Sequence, residues 1–157
     1  VVKSEIRLEA MKDSARSVVH AAASAAGVIG ASPIPGSDAP LIAAAQSAMI
    51  YKINAEFELD SATSNTTSIV TGILGVTAVA QVGKAVVSNL LKFIPGVGSV
   101  IGGAISATTA IALTEAVGHA YIKVLETYYN KDNGSVELPS NVTTILSTFK
   151  DYFSFKK

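Results

Sequence analysis

Apolar residues recur at three- and four-residue spacing along most of this chain, the period of one buried face of an α-helix. From about Lys3 to Ile29 a charged first half gives way to Val18, Val19, Ala21, Ala22, Ala23, Ala25 and Ala26, residues that favour or tolerate the helical backbone. One long helix is predicted there. Glu9 with Lys12 and Asp13 with Arg16 are each three apart and can pair on its exposed side. Pro33 and Pro35 in Gly30-Ala31-Ser32-Pro33-Ile34-Pro35-Gly36 remove backbone donors and force a loop. Ser37 or Asp38 then caps a second helix, with Pro40 in its first turn, where a missing N–H costs nothing. That helix should reach about Glu58, with Leu41, Ile42, Ala45, Met49, Ile50, Ile53 and Phe57 as its core-facing stripe.

A third helical segment is expected from near Ser61 to Phe93, with a bend near Gly72 to Gly83, before Pro95-Gly96 turns the chain. The fourth, from about Gly98 to Tyr129, carries a small residue every fourth position: Gly98, Gly102, Ser106, Ala110, Thr114 and Gly118. Such a row permits close approach of helix backbones, either inside a soluble bundle or between helices in lipid. A polar turn at Asn130 to Ser135 precedes a short helix from about Ser140 to Phe153, with Val142, Ile145, Leu146, Phe149 and Phe153 on one side. No strand pair is expected. The predicted fold is therefore all-α: a single compact bundle of about five helices, residues 1–157, with a Gly/Ala-rich apolar hairpin.

Charge placement adds a membrane question. Only 15% of the 157 residues are charged, against about 25% in an average soluble domain. Residues 61–122 hold three charges, Lys84, Lys92 and Glu115, and the windows 61–83 and 93–114 hold none. Each window has the length of a bilayer crossing, but Ser, Thr, Gly and Ala supply little transfer energy. Lys84 and Lys92 flank the link between the windows and could snorkel to one interface. With 12 basic and 12 acidic side chains, the chain has no excess cation density for phosphate, so nucleic acid is excluded as a general partner. The charged first sixteen residues and a Val at position 1 do not form a signal peptide; the chain reads as the C-terminal part of a longer one.

The candidate chemistry is sparse. No cysteine is present, so neither a disulfide nor a thiolate site can form. Gly96-x-Gly98-x-x-x-Gly102 lacks the preceding strand that a dinucleotide loop needs. Gly83-Lys84 lacks a phosphate-loop pattern, because positions 78 and 85 are Ala78 and Ala85. No Gly-x-Ser-x-Gly elbow occurs, and the Asn-x-Ser/Thr triplets at Asn65, Asn133 and Asn141 are read as chance matches. His119 with Glu115 four residues before it makes half a metal site, and the expectation is a hydrogen-bonded pair on one helix. Glu115 interrupts the longest apolar stretch, where a buried carboxylate must be paired or protonated; Gln46 and Asn54 sit on or near an apolar helix. Catalytic residues, metal ligands and cofactors are all expected to be absent.

The run Ala21-Ala22-Ala23-Ser24-Ala25-Ala26-Gly27, the loop Ala31-Ser32-Pro33-Ile34-Pro35-Gly36-Ser37-Asp38-Ala39-Pro40, Gln46-Ser47-Ala48-Met49-Ile50, and Leu91-Lys92-Phe93-Ile94-Pro95-Gly96-Val97-Gly98 with Gly102-Gly103-Ala104 resemble the YcjF-like domain of unknown function. The likeness covers about residues 10–125, and its most specific part is the pair of proline loops. It implies an α-helical, often membrane-associated module, commonly C-terminal to an Era-like GTPase domain in bacteria. It carries over no catalytic residues. The implied partners are an upstream GTPase domain and a membrane, with a homo-oligomer also open; the implied location is cytoplasmic, peripheral or integral at the inner membrane.

These readings lead to a non-catalytic accessory domain of a GTPase that couples nucleotide state to a membrane or protein partner through the apolar 61–114 hairpin. Gly98, Ile101, Gly102, Ile105, Ser106 and Ala110 are the expected contact residues. The alternative is a pore-forming or membrane-inserting, toxin-like domain that stores the hairpin in a soluble bundle. A helical enzyme or apolar-ligand carrier would instead need a cavity near Glu115, His119 or Gln46.

Overall fold

Burial in the first helix follows its sequence period: Leu8, Met11, Ala15, Val19 and Ala23 are buried, and Glu9 and Asp13 between them face water, while Lys12 is largely covered at the helix interface. This is α1, Val2–Gly30. In the computed structural model, which describes residues 2–30, 38–59, 66–82 and 107–153, it is followed by α2 (Asp38–Glu56), α3 (Thr66–Val82) and α4 (Ala107–Thr127). A two-strand hairpin of β1 (Tyr129–Asn130) and β2 (Ser135–Val136) and a last helix α5 (Val142–Phe153) complete it. The chain is an all-α bundle, with five helices among the described residues.

α2 ends two residues before the expected Glu58, in a paired-hydrogen-bond cap. Glu58 N–H donates to Ala55 O at 3.0 Å and Leu59 N–H to Asn54 O at 2.9 Å, with Glu58 in the left-handed region at φ 59°. A non-glycine residue there is strained by about 1–2 kcal/mol. The Glu58 carboxylate accepts from Arg7 of α1, which helps to offset that strain. The same Arg7 donates from Nε to Gly134 O at 3.0 Å, so one guanidinium joins α1, the end of α2 and the hairpin turn.

The hairpin corrects the expectation that no strands pair. Tyr129 opposes Val136 and Asn130 opposes Ser135. The expected polar turn supplies the closure: Gly134 takes φ 71°, Asn130 Oδ1 accepts from Asp132 N–H at 2.8 Å, and Asn133 Oδ1 accepts from Ser135 N–H at 3.0 Å. Two-residue strands leave no alternation to read, and their stability comes from docking: Tyr129 OH donates to Ser4 O of α1 at 2.7 Å. Asn141 then caps α5 by accepting from Thr143 N–H at 2.9 Å. Ile145, Phe149 and Phe153 are buried on α5, with the two Phe rings stacked at 5.3 Å, and Val142 and Leu146 are half-buried beside them.

α4 is the centre of the bundle. Leu113, Val117, Ala120, Tyr121, Ile122, Val124 and Leu125 are buried around most of its circumference, and it touches α1, α2 and α5, while α3 rests on α2 and α5. Of the small-residue row expected on this helix, Thr114 and Gly118 are described as buried, and a Cβ on Gly118 would meet Val19 and Met49. At those two positions the row serves close packing within the chain. The expected helix starts at Gly98 and the described one at Ala107; residues 98–106, like the expected continuation of the third segment to Phe93, lie outside the described residues.

Candidate functional site

Two polar clusters lie where α4 meets its neighbours. The first is inside the core. Gln46 on α2 is 1% exposed and donates from Nε2 to Thr114 Oγ1 at 3.3 Å. Two turns further along α2, Asn54 is fully buried and uses both ends of its amide: Nδ2 donates to Thr66 Oγ1 at 3.3 Å, and Oδ1 accepts from Tyr121 OH at 2.5 Å. A buried amide must be paired, and these partners come from α3 and α4. Burial pushes the Tyr121 hydroxyl well above the ordinary phenol range. Thr66 is the first residue of α3, and Thr114 lies in the first half of α4. The two threonines therefore bracket most of the low-charge stretch of the sequence, and α2 holds both ends.

The second cluster is at the surface between α1 and α4. Glu115 Oε1 lies 2.7 Å from His20 Nδ1, and Oε2 lies 2.9 Å from His119 Nε2. The two rings stand 6.0 Å apart at an interplanar angle of 66°. The expected Glu115–His119 pair is present, and His20 joins it across the helix interface. Glu115 is not sealed in the core: its side chain is 26% exposed, against 64% for His20 and 43% for His119. Each imidazole is turned onto a different carboxylate oxygen, so the donors do not converge on one point. Among the described residues no group of three or more His, Cys, Asp or Glu is placed to hold a metal. Further along this interface Lys12 of α1 pairs with Glu126 of α4 and with Glu9, and the hydrogen bond to Glu126 raises its pKa above the ordinary lysine value.

Of the residues expected to contact a membrane or partner, Gly98, Ile101, Gly102, Ile105 and Ser106 lie outside the described residues. Ala110 lies in α4, and its side chain is outside them. Among the described residues no helix is long and apolar enough to cross a membrane. A groove of about 560 Å³ opens between α1 and α2, and Gln46, Glu115 and His119 do not line it.

A family model described as a domain of unknown function, DUF697, matches residues 2–151. The chain belongs to the DUF697 family. No curated protein and no solved structure matches it. In this DUF697 domain the matched span runs from α1 into α5, so both polar clusters fall within it. Sequence reading singled out Gln46, Asn54, Glu115 and His119 as polar groups on apolar helices, but missed Thr66, Thr114, Tyr121 and His20 as their partners. The signal for Thr114 was its place at the edge of an uncharged window; no local pattern points from His20 to a carboxylate 95 residues away.

Proposed function

We propose that this DUF697 domain is a non-catalytic helical accessory module of a GTPase, akin to the YcjF-like domains that its loop motifs resemble. It relays nucleotide state to a membrane or protein partner through the low-charge segment 61–114. The observation that carries this reading is the buried polar base: Thr66 opens α3 and Thr114 lies in α4, near the two ends of the segment, and α2 holds both through Asn54 and Gln46. Hydrogen bonds in a low-dielectric core are costly to leave half-made, so such a base favours discrete arrangements over gradual ones. A small shift of α2 against its neighbours would then change how the segment is held, which is the differential contact that a two-state relay needs.

Hydrogen exchange on the domain joined to its GTPase, with GTP and with GDP, tests the relay. Greater exchange of 61–114 in one nucleotide state supports it, and equal protection in both rejects it. Flotation with neutral and anionic liposomes, repeated with Ile101→Asp and Ile105→Asp, identifies the partner class. Flotation lost in the Asp variants, with helicity retained, assigns a membrane; absence of flotation assigns a protein partner. Dye release from the same vesicles would instead favour a pore-forming activity.

A further inference from the structure

Asn133-Gly134, in the turn between β1 and β2, is the one Asn-Gly step in the chain. Such a step carries its own chemistry: the nitrogen of the following residue can attack the asparagine side-chain carbonyl, and glycine, having no Cβ, obstructs that approach least. The attacking nitrogen must first give up its proton to solvent base. In this turn the proton is engaged, because Gly134 N–H donates to Asn130 O at 2.8 Å. Gly134 is also buried, with Arg7 Cδ and Tyr129 OH 3.5 and 3.6 Å from where a Cβ would stand. The amide that would leave is tied as well. Asn133 Nδ2 donates to Glu137 Oε1 at 2.6 Å, and Oδ1 accepts from Ser135 N–H at 3.0 Å and from Ser135 Oγ at 2.8 Å. The hairpin is docked on α1 through Arg7 Nε to Gly134 O, Ser4 Oγ to Lys131 O, and Tyr129 OH to Ser4 O.

We propose that Asn133 is a site of hydrolytic deamidation gated by this docking. While the hairpin lies on α1, the side chain stays an amide. When the hairpin lifts away, the Gly134 nitrogen bonds to Asn133 Cγ and the Cγ–Nδ2 bond breaks. Nδ2 leaves as ammonia, with a proton replacing the one that Gly134 gave up. Water then adds to one carbonyl of the cyclic imide and opens it to aspartate or isoaspartate, so water is the only co-reactant. Either product sets a carboxylate beside Glu137 where an N–H donor stood, and like charges there oppose closure of the turn. Isoaspartate also lengthens the turn by a backbone carbon. The docked hairpin therefore does not re-form as before, and the site keeps an irreversible record of opening. This inference does not depend on the GTPase reading.

Peptide mapping by mass spectrometry, on the 157-residue chain incubated in mildly alkaline buffer, reads the conversion of Asn133. The expected rate in the folded chain is at least about tenfold below that of the same chain unfolded in guanidinium, because the hydrogen bonds of the turn must open together first. Hydrogen exchange at the Gly134 amide should be slowed by a similar factor, since both reactions need that proton released. Arg7→Ala and Ser4→Ala each remove a docking contact. Each should speed conversion in a chain that circular dichroism shows to be folded, and leave the unfolded rate unchanged. Equal rates in the folded and unfolded chain overturn the proposal, as does a folded rate that neither variant moves. So does an Asn133 that stays unconverted even in the unfolded chain.

Discussion

Gly118 lies where α4 comes closest to α1 and α2, and replacing it with Ala is the sharpest test of that packing. A Cβ built there would lie 2.5 and 2.7 Å from the two γ-carbons of Val19 and 3.0 Å from Met49 Sδ. Val19 is fully buried and Met49 is 1% exposed. A valine on a helix is nearly confined to one rotamer, so it cannot swing aside cheaply, and the helices must move apart. Overpacking of this kind costs about 1–3 kcal/mol. Relief of the glycine's helix penalty returns about 1 kcal/mol. The expected net loss is about 1 kcal/mol, or about 2–4 °C in Tm for a chain of this size. Gly75 is the control: it lies within α3 with nothing within 4 Å of its Cβ position. Gly75→Ala should therefore stabilise by about 0.5–1 kcal/mol. Urea unfolding followed by far-UV circular dichroism measures both. A double-mutant cycle with Val19→Ala should show coupling of about 1 kcal/mol or more, because the smaller side chain admits the new methyl. If Gly118→Ala stabilises as much as Gly75→Ala, or if the cycle is additive, α1 and α4 do not approach as described.

The polar clusters should differ in weight. Asn54→Ala leaves the Tyr121 hydroxyl without its acceptor in the core and opens a small cavity, for an expected loss of about 2–4 kcal/mol by urea unfolding. Glu115→Ala breaks contacts to two solvent-exposed imidazoles and should cost less than about 1 kcal/mol. A loss as large as that of Asn54→Ala would show that the surface cluster is structural. Burial raises the folded-state pKa of Tyr121, so the folded chain holds this proton more tightly than the unfolded chain does. That contribution is complete below the ordinary phenol pKa of about 10 and declines as pH rises above it. Stability should fall in that alkaline range, where Lys12, also raised, adds to the decline. Tyr121→Phe should flatten the tyrosine share of the slope in urea titrations run at several pH values, and an unchanged slope would argue against a buried hydroxyl.

Helix positions and core faces were legible from local chemistry. Proline at 33 and 35, a capping residue at Ser37 or Asp38 and the spacing of Met49, Ile50, Ile53 and Phe57 each act within a few residues, so they pointed to a helix starting where α2 does and to its buried side before any fold was known. The same holds for Asn141 and the Ile145, Phe149 and Phe153 stripe of α5. What local chemistry leaves open is which apolar faces meet, because any two such stripes bury similar area. Only tertiary packing placed His20 beside Glu115, gave Asn54 both Thr66 and Tyr121, and pressed Gly118 against Val19. It also made a hairpin from two-residue strands that no alternation announces, held by Arg7 and Ser4 of a helix more than a hundred residues earlier. Local spacing marked the described helices and the inward sides of α2 and α5. The tertiary structure decided how the polar groups on those sides are paired, because a buried donor constrains its partner in space and leaves no period along the chain.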